Sequence, residues 1–307
     1  TFDCWNRNAA GTGECFSAGA SFTTGALNET LYAKWNAQPY TITVGAVTTN
    51  QHSGSTVGGT ISASAASATA GTTITLTPSP TSGYAFVSWT VTKEGGGTVE
   101  VVSNQFTMPA ANVTITAVFA KTYTISYYEN DGTTSIGGLA PTSYSYGVGA
   151  VLPTPTKSGY TFEAWYNAWC VNESNEAPCS SGCGWVAGCQ TTTISTTEYG
   201  DADYLARWYQ TVTLDKNGGE ADGSVVAWYN EAGTTSLSAP TRAGYEVEGY
   251  YAEAGCTNKV MTAAGVLVDY SGYVSSGKWG HSGATTLYAK WTEAVVTYSV
   301  TYNGNSN

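Results

Sequence analysis

Seven cysteines are the residues of this chain best suited to chemistry. Four of them lie within a stretch of 20 residues: Cys170, Cys179, Cys183 and Cys189. Four thiolates can bind zinc in a tetrahedral site, but these cysteines lack the paired Cys-x-x-Cys spacing that zinc sites commonly show. Such a density of cysteine is more typical of disulfides formed in an oxidising compartment. The sequence therefore favours two disulfides, with zinc as the alternative and the pairing left open.

The other three cysteines are more widely separated. Cys4 and Cys15 flank a Gly-rich turn, so we expect a third disulfide between them. Cys256 is left over, and a thiol dyad with His281 is one use for it. A missing disulfide partner is the commoner explanation of a leftover cysteine.

Catalysis receives little support from the residue types present. The chain has two histidines, His52 and His281, and each lies beside a serine in a Ser- and Gly-rich stretch. A nucleophilic pair needs a base held in place by a third group, whereas histidines in such stretches are usually surface residues. No metalloprotease helix motif, phosphate loop or dinucleotide fingerprint occurs. We therefore predict a protein that is not an enzyme and that has no cofactor.

Two further groups of residues could bind a ligand. Asp215–Asp222 places carboxylates near glycines, as a calcium loop does, but it lacks the closing glutamate of such a loop, and we predict no metal there. Four tryptophans outside the repeated motifs described next are candidates for stacking on glycans: Trp169, Trp185, Trp228 and Trp279. The alternative is that these rings pack over their own loops.

Three short motifs recur in fixed order along the chain and define the elements that must position these residues. The first is an alternating strand, such as Tyr123-Thr-Ile-Ser-Tyr127, and the second is a Pro followed by Gly-Tyr and an aromatic strand, such as Pro155–Trp165. The third motif ends the unit, as in Leu287-Tyr-Ala-Lys-Trp291. Its last aromatic residue recurs about every 80–90 residues, at Trp35, Phe119, Trp208 and Trp291.

These motifs resemble the internalin-type B repeat, also called the Listeria–Bacteroides repeat. Residues 210–292 carry Asn217-Gly-Gly219 and the closing motif, and residues 122–209 carry the aromatic centre and the closing motif. Residues 39–120 resemble the divergent form of the repeat. The resemblance implies small β-grasp-like modules of a bacterial surface protein.

The motifs also predict the domain boundaries. The chain divides into the C-terminal half of a repeat (1–36), a divergent repeat (39–120, here repeat 1), a repeat with a Cys-rich insertion (122–209, repeat 2), another repeat (210–292, repeat 3) and the first strand of a further repeat (297–307). We expect a mostly β or α+β fold, arranged as a tandem array in an elongated rod. The partial repeats at the ends indicate either a piece of a longer array or completion by other chains.

Composition limits the partners of such an array. Charged residues make up 11% of the chain, the net charge is −11, and no run of basic residues occurs. Nucleic acids and anionic lipid surfaces are therefore poor partners, because both are bound through clustered Lys and Arg. No apolar stretch approaches the ~20 residues that a membrane-spanning helix needs.

The resulting prediction is a non-catalytic, extracellular repeat protein of the bacterial cell surface that acts as a stalk and adhesin. Its expected partners are a host or neighbouring-cell surface protein or glycan. Two alternatives remain open: carbohydrate-binding modules attached to a secreted enzyme, and a filament subunit. In the filament, one chain's last strand would complete the next chain's first repeat, a head-to-tail self-association by strand exchange.

Overall fold

A computed structural model describes residues 1–25, 28–168, 190–295 and 298–304. Within these ranges the regular structure consists of β-strands, and no α-helix occurs. The mostly β fold expected from the sequence is therefore confirmed. The chain forms two compact units, one of residues 1–122 with 145–148 and the other of residues 123–144 with 149–307.

The strands of the first unit cover the half-repeat and repeat 1. They are β1 Phe2–Asn6, β2 Cys15–Phe16, β3 Tyr32–Trp35, β4 Pro39–Asn50, β5 Gly59–Ala63, β6 Ser67–Thr69, β7 Thr73–Pro80, β8 Tyr84–Lys93, β9 Thr98–Val99, β10 Gln105–Thr107 and β11 Val113–Tyr128, whose last residues belong to the second unit.

The half-repeat forms a three-stranded antiparallel sheet in the order β2-β1-β3. Cys4 on β1 and Cys15 on β2 form a disulfide with their Cα atoms 5.7 Å apart. The disulfide closes the Gly-rich turn between the two strands. Closure of such a short loop stabilises the folded state chiefly by restricting the unfolded chain.

Repeat 1 is built around β11, which alternates between buried and exposed residues. Val113 and Ile115 face the core, while Thr114 and Thr116 face away from it. This alternation follows from the two-residue period of a strand, which places successive side chains on opposite faces. On one side of β11 lies β4 in parallel orientation, and on the other side lies β8 in antiparallel orientation. A second sheet, in the order β10-β7-β5, contributes Ile74, Leu76 and Phe106 to the same core.

The remaining strands belong to repeats 2 and 3, apart from Ser145, which groups with the first unit. They are β12 Ser143–Ser145, β13 Ala150–Val151, β14 Thr161–Asn167, β15 Gln190–Thr191, β16 Thr193–Ile194, β17 Ala202–Asp215, β18 Gly223–Trp228, β19 Thr234–Ser238, β20 Tyr245–Tyr251, β21 Lys259–Thr262, β22 Val274–Ser275, β23 Lys278–Trp279 and β24 Thr286–Glu293.

Repeats 2 and 3 have the same strand arrangement as repeat 1. In repeat 2, the end of β11 lies parallel to the start of β17, and β14 pairs with β17 in antiparallel orientation. In repeat 3, the end of β17 lies parallel to β24, and β20 pairs with β24 in antiparallel orientation. Strand β17 therefore closes repeat 2 and opens repeat 3 without a break.

One cross-strand pair has the same register in all three repeats. The last aromatic residue of the central motif lies opposite the alanine of the closing motif: Trp89 with Ala117, Trp165 with Ala206, and Tyr250 with Ala289. Directly opposed residues share a face of the sheet, so a large ring here needs a small neighbour. The three alanines are buried, which explains why the closing motif carries alanine at this position.

Candidate functional sites: a repeat junction and exposed aromatic residues

Cys256 and His281, the candidate thiol dyad, each contact other groups. The ring of His281 stacks on Tyr273 with 4.2 Å between the ring centroids, and its Nδ1 lies 2.8 Å from the carbonyl oxygen of Gly272. The Cys256 thiol instead contacts Asn217 Nδ2 at 3.3 Å and two backbone carbonyls. Burial raises the pKa of this thiol, which disfavours the reactive thiolate. His52 lies beside the ring of Tyr146.

The candidate metal ligands have other partners. The backbone N–H groups of Asn217 and Lys216 donate to Asp215 (2.7 Å) and Asp222 (3.0 Å), so these carboxylates hold the turn. Asp3 lies near Cys4 and Cys15, but those two sulfurs are bonded to each other and offer no thiolate. The candidate disulfide or zinc residues Cys170, Cys179, Cys183 and Cys189 lie outside the described residues.

The four candidate stacking tryptophans fall into three different situations. Trp169 and Trp185 lie outside the described residues. Trp228 is half-buried, and the guanidinium carbon of Arg207 lies 3.8 Å from its ring centroid. The expectation that Trp279 lies outside the core is wrong. Its ring is 1% exposed in the core of repeat 3, and its indole N–H donates to Gln210 Oε1 at 3.1 Å, so it presents no ring face to a ligand.

The indole of Trp279 belongs to a buried hydrogen-bond cluster within repeat 3 that no sequence motif reveals. Gln210, the first residue of repeat 3, is the centre of this cluster and is buried. Its amide donates to Gly283 O and to Thr285 Oγ1, and its oxygen accepts from Trp279. A buried amide needs such partners, because each unsatisfied polar group costs about 1–3 kcal/mol. Gln210 therefore ties the first strand of repeat 3 to the segment that leads into its last strand, β24.

Tyr160 of repeat 2 makes contacts across a junction between repeats 2 and 3. Its hydroxyl donates to the carbonyl oxygen of His281 at 2.6 Å, and its ring packs edge-on against Tyr229 with 5.0 Å between the centroids. Burial raises the pKa of Tyr160, so the hydroxyl remains a donor at ordinary pH. Asn130 also reaches repeat 3, because its amide donates to the carbonyl oxygen of Tyr229.

Two cations complete the junction on the side of repeat 2. Lys157 Nζ lies 3.9 Å from the ring centroid of Tyr229 and 2.9 Å from Glu129 Oε1. Arg207 makes two hydrogen bonds to Glu231, at 3.0 and 2.9 Å. Both ion pairs are mostly shielded from water, so loss of one partner would leave a poorly solvated charge. In repeat 3, Tyr229 thus holds Lys157 in place. Glu231 does the same for Arg207.

Glycine at position 159 is required by the closeness of the two repeats. The residue has φ +80°, and a Cβ at this position would overlap the backbone of Ser282 and Gly283 in repeat 3. Gly244 occupies the same motif position in repeat 3 with φ +73°, and it has open space around it. Both glycines need a residue that tolerates positive φ. Only Gly159 also lacks space for a Cβ.

Substitution of these glycines by alanine isolates the contribution of the junction. Both Gly159→Ala and Gly244→Ala carry the cost of positive φ, about 1–2 kcal/mol. We expect Gly159→Ala to destabilise the second unit by about 1–3 kcal/mol more, because the added methyl overpacks the junction. Urea denaturation of the full-length chain, followed by tryptophan fluorescence, measures the difference. Equal losses for the two variants would contradict a tight junction.

Trp89, the last aromatic residue of the central motif in repeat 1, is a further candidate binding residue. Its counterpart Trp165 is buried at 1% exposure and donates to Pro153 O. Trp89 is only partly buried, and its indole N–H donates to Asn104 Oδ1 at 2.8 Å. Its ring lines a hollow of about 530 Å³, together with Phe86, Val99, Val101, Ser103 and Asn104. The two rings occupy the same position of the motif, so the motif alone does not predict that Trp165 is buried and Trp89 partly exposed.

Two repeat families match the chain, and a bacterial protein is similar to it. The family described as "Divergent InlB B-repeat domain" matches residues 46–122, and the "Listeria-Bacteroides repeat domain" matches residues 123–176 and 210–290. A protein of Evansella cellulosilytica named "Putative Gly-rich membrane protein" is 24% identical over 315 residues. This alignment covers 100% of the chain and 32% of the relative, so the chain spans about a third of the relative's length. Among the described residues, no helix is long and apolar enough to cross a membrane.

Proposed function

This chain belongs to the internalin-type B-repeat (Listeria–Bacteroides repeat) family, and we propose that it acts as a stalk that holds other parts of a surface protein at a distance from the bacterial cell. The family is typical of bacterial surface proteins, and such repeat domains are typically non-catalytic. A spacer needs modules that keep their orientation under thermal motion, because a freely hinged array collapses toward a coil.

The junction between repeats 2 and 3 is the observation that carries this proposal. The hydrogen bond of Tyr160 to the carbonyl oxygen of His281 and its ring contact with Tyr229 join the two repeats, and both repeats lie within one compact unit. Interfaces between freely moving domains are usually small and polar. Here an edge-on pair of rings, the shielded ion pair of Arg207 with Glu231 and the contact of Lys157 with the ring of Tyr229 hold the repeats together. These features support a stiff connection.

Adhesion is the finer part of the proposal. A stalk presents whatever it carries to a host cell or a neighbouring cell, and its own exposed loops reach the same partners. The negative net charge of the chain disfavours contact with anionic lipid and leaves proteins and glycans as the expected partners. The extracellular, cell-surface location is part of this proposal.

Distance measurements between spin labels test the stiffness of the junction. Labels carried by non-natural amino acids at exposed Thr196 (repeat 2) and Ala263 (repeat 3) avoid the cysteines. We expect one narrow distance distribution for the full-length chain, and a broad one for Tyr229→Ala, which loses the contacts of Tyr160 and Lys157. Tyr199→Ala, an exposed tyrosine of repeat 2, is the control and should leave the distribution narrow. A broad distribution in the unchanged chain would refute the stiff stalk.

The hollow beside Trp89 favours a second candidate function, the binding of glycans. A sugar ring offers an apolar face for stacking and hydroxyl groups for hydrogen bonds. The hollow combines the rings of Trp89 and Phe86 with the polar groups of Ser103 and Asn104. Ser103 and Asn104 both have positive φ, 50° and 60°, in the turn before β10, which fixes their positions at the rim.

Calorimetric titration with cellohexaose, chitohexaose and mannohexaose tests this second function. We expect at least one of them to bind with a Kd of about 1 mM or tighter, a free energy of roughly −4 kcal/mol. Trp89→Leu and Asn104→Gly should abolish the binding, and Asn104→Gly tolerates the positive φ. Trp228→Leu is the matched control and should bind normally. Absence of binding to all three sugars, or unchanged binding by both variants of the hollow, would refute the assignment.

A further inference from the structure

The first and last strands of every repeat are parallel neighbours. In repeat 1, Ile42–Val44 of β4 pairs with Val113–Ile115 of β11, and the pairing resumes after a bulge with Val47–Asn50 and Ala117–Ala120. In repeat 2, Ile125–Tyr128 of β11 pairs with Ala202–Leu205 of β17. In repeat 3, Thr213–Asp215 of β17 pairs with Thr286–Tyr288 of β24.

This topology determines how a repeat responds when its two ends are pulled apart. Tension acts on the beginning of the first strand and on the end of the last strand. Because the two strands are parallel, these points lie at opposite ends of the pair, and the strands are forced to slide past each other along their length. The hydrogen bonds between them, which are evenly spaced along a parallel pair, then share the load. A hairpin pulled at its open end instead loses its bonds one at a time.

We propose that the paired terminal strands of each repeat are a mechanical clamp, and that the array bears tension between the cell and whatever the stalk holds. This function rests on the proposed stalk, since a spacer between two attached surfaces is the element that carries the load. It differs from stiffness, because a stiff rod can still rupture at low tension.

The number of paired residues differs among the three clamps. Seven residue pairs join the terminal strands of repeat 1, four join those of repeat 2 and three join those of repeat 3. Sliding must break all bonds of a clamp at nearly the same time, so the barrier to forced unfolding rises with the number of pairs. Repeat 1 should therefore be the last of the three to open, while the shorter clamps lengthen the chain first and limit the tension.

Repeat 1 can also be pulled in a second direction. Comparing the two directions distinguishes a mechanical clamp from a high overall stability of the repeat. Thr43, Thr114, Thr92 and Thr98 lie in one row across β4, β11, β8 and β9. The start of β4 and residue Thr98 are therefore at the same end of the sheet. Tension between Gln38 and Thr98 peels β4 from β11 one bond at a time. The folded repeat and its free energy of unfolding are the same as in end-to-end pulling.

Optical-tweezers measurements on the full-length chain test the clamp. With handles at the two termini, we expect separate unfolding steps, each releasing about 25–30 nm of chain for about 80 residues. The step at the highest force should belong to repeat 1. With handles at Gln38 and Thr98, repeat 1 should open at a force lower by about twofold or more, since its interstrand bonds break in sequence.

Two outcomes would overturn the clamp. The first is equal unfolding forces for repeat 1 in both pulling directions, and the second is the opening of repeat 1 before the other two in end-to-end pulling. Neither outcome affects the spin-label distances between repeats 2 and 3. A narrow distance distribution with weak, direction-independent unfolding would thus retain the stalk and remove the clamp.

Discussion

Parallel pairing of the first and last strands is the constraint on which the rest of each repeat depends. A chain that leaves a repeat through a strand parallel to the one by which it entered is still travelling in its original direction. The next repeat can therefore begin at once. Strand β17 shows this within the second unit, where it closes repeat 2 and opens repeat 3 in one run from Ala202 to Asp215. The absence of a linker at this point brings the two repeats into contact.

The closing strand meets two further requirements at the same time. Its alanine lies opposite the large ring of the central strand, and its final aromatic residue adds to the core, as Trp208 does in repeat 2. Trp208 also donates to Glu129, the carboxylate that pairs with Lys157 at the junction. The core of repeat 2 and its contact with repeat 3 are thus parts of one network, so the two repeats form a single compact unit.

The sequence predicts where the strands of this protein lie better than it predicts which strands pair with each other. Alternation, the Gly-Tyr motif and the closing aromatic residues locate the strands and the buried rings Trp165 and Trp208, because burial on one face leaves a period of two. Nothing in such a pattern tells which strands pair. Trp279 was misplaced for this reason, since its environment comes from Gln210, 69 residues earlier in the chain. Trp89 packs against the core of repeat 1, but the motif does not tell that its ring stays partly exposed there.

Amide hydrogen exchange, followed residue by residue by NMR under native conditions, tests the central claim that the terminal strands hold each repeat closed. We expect amides in the parallel pair of repeat 3, Thr213–Asp215 with Thr286–Tyr288, to exchange only when repeat 3 as a whole unfolds. Amides in the outer hairpin of β18 and β19 should exchange earlier through local opening. If the parallel pair exchanges as fast as that hairpin, the terminal strands do not hold the repeat closed.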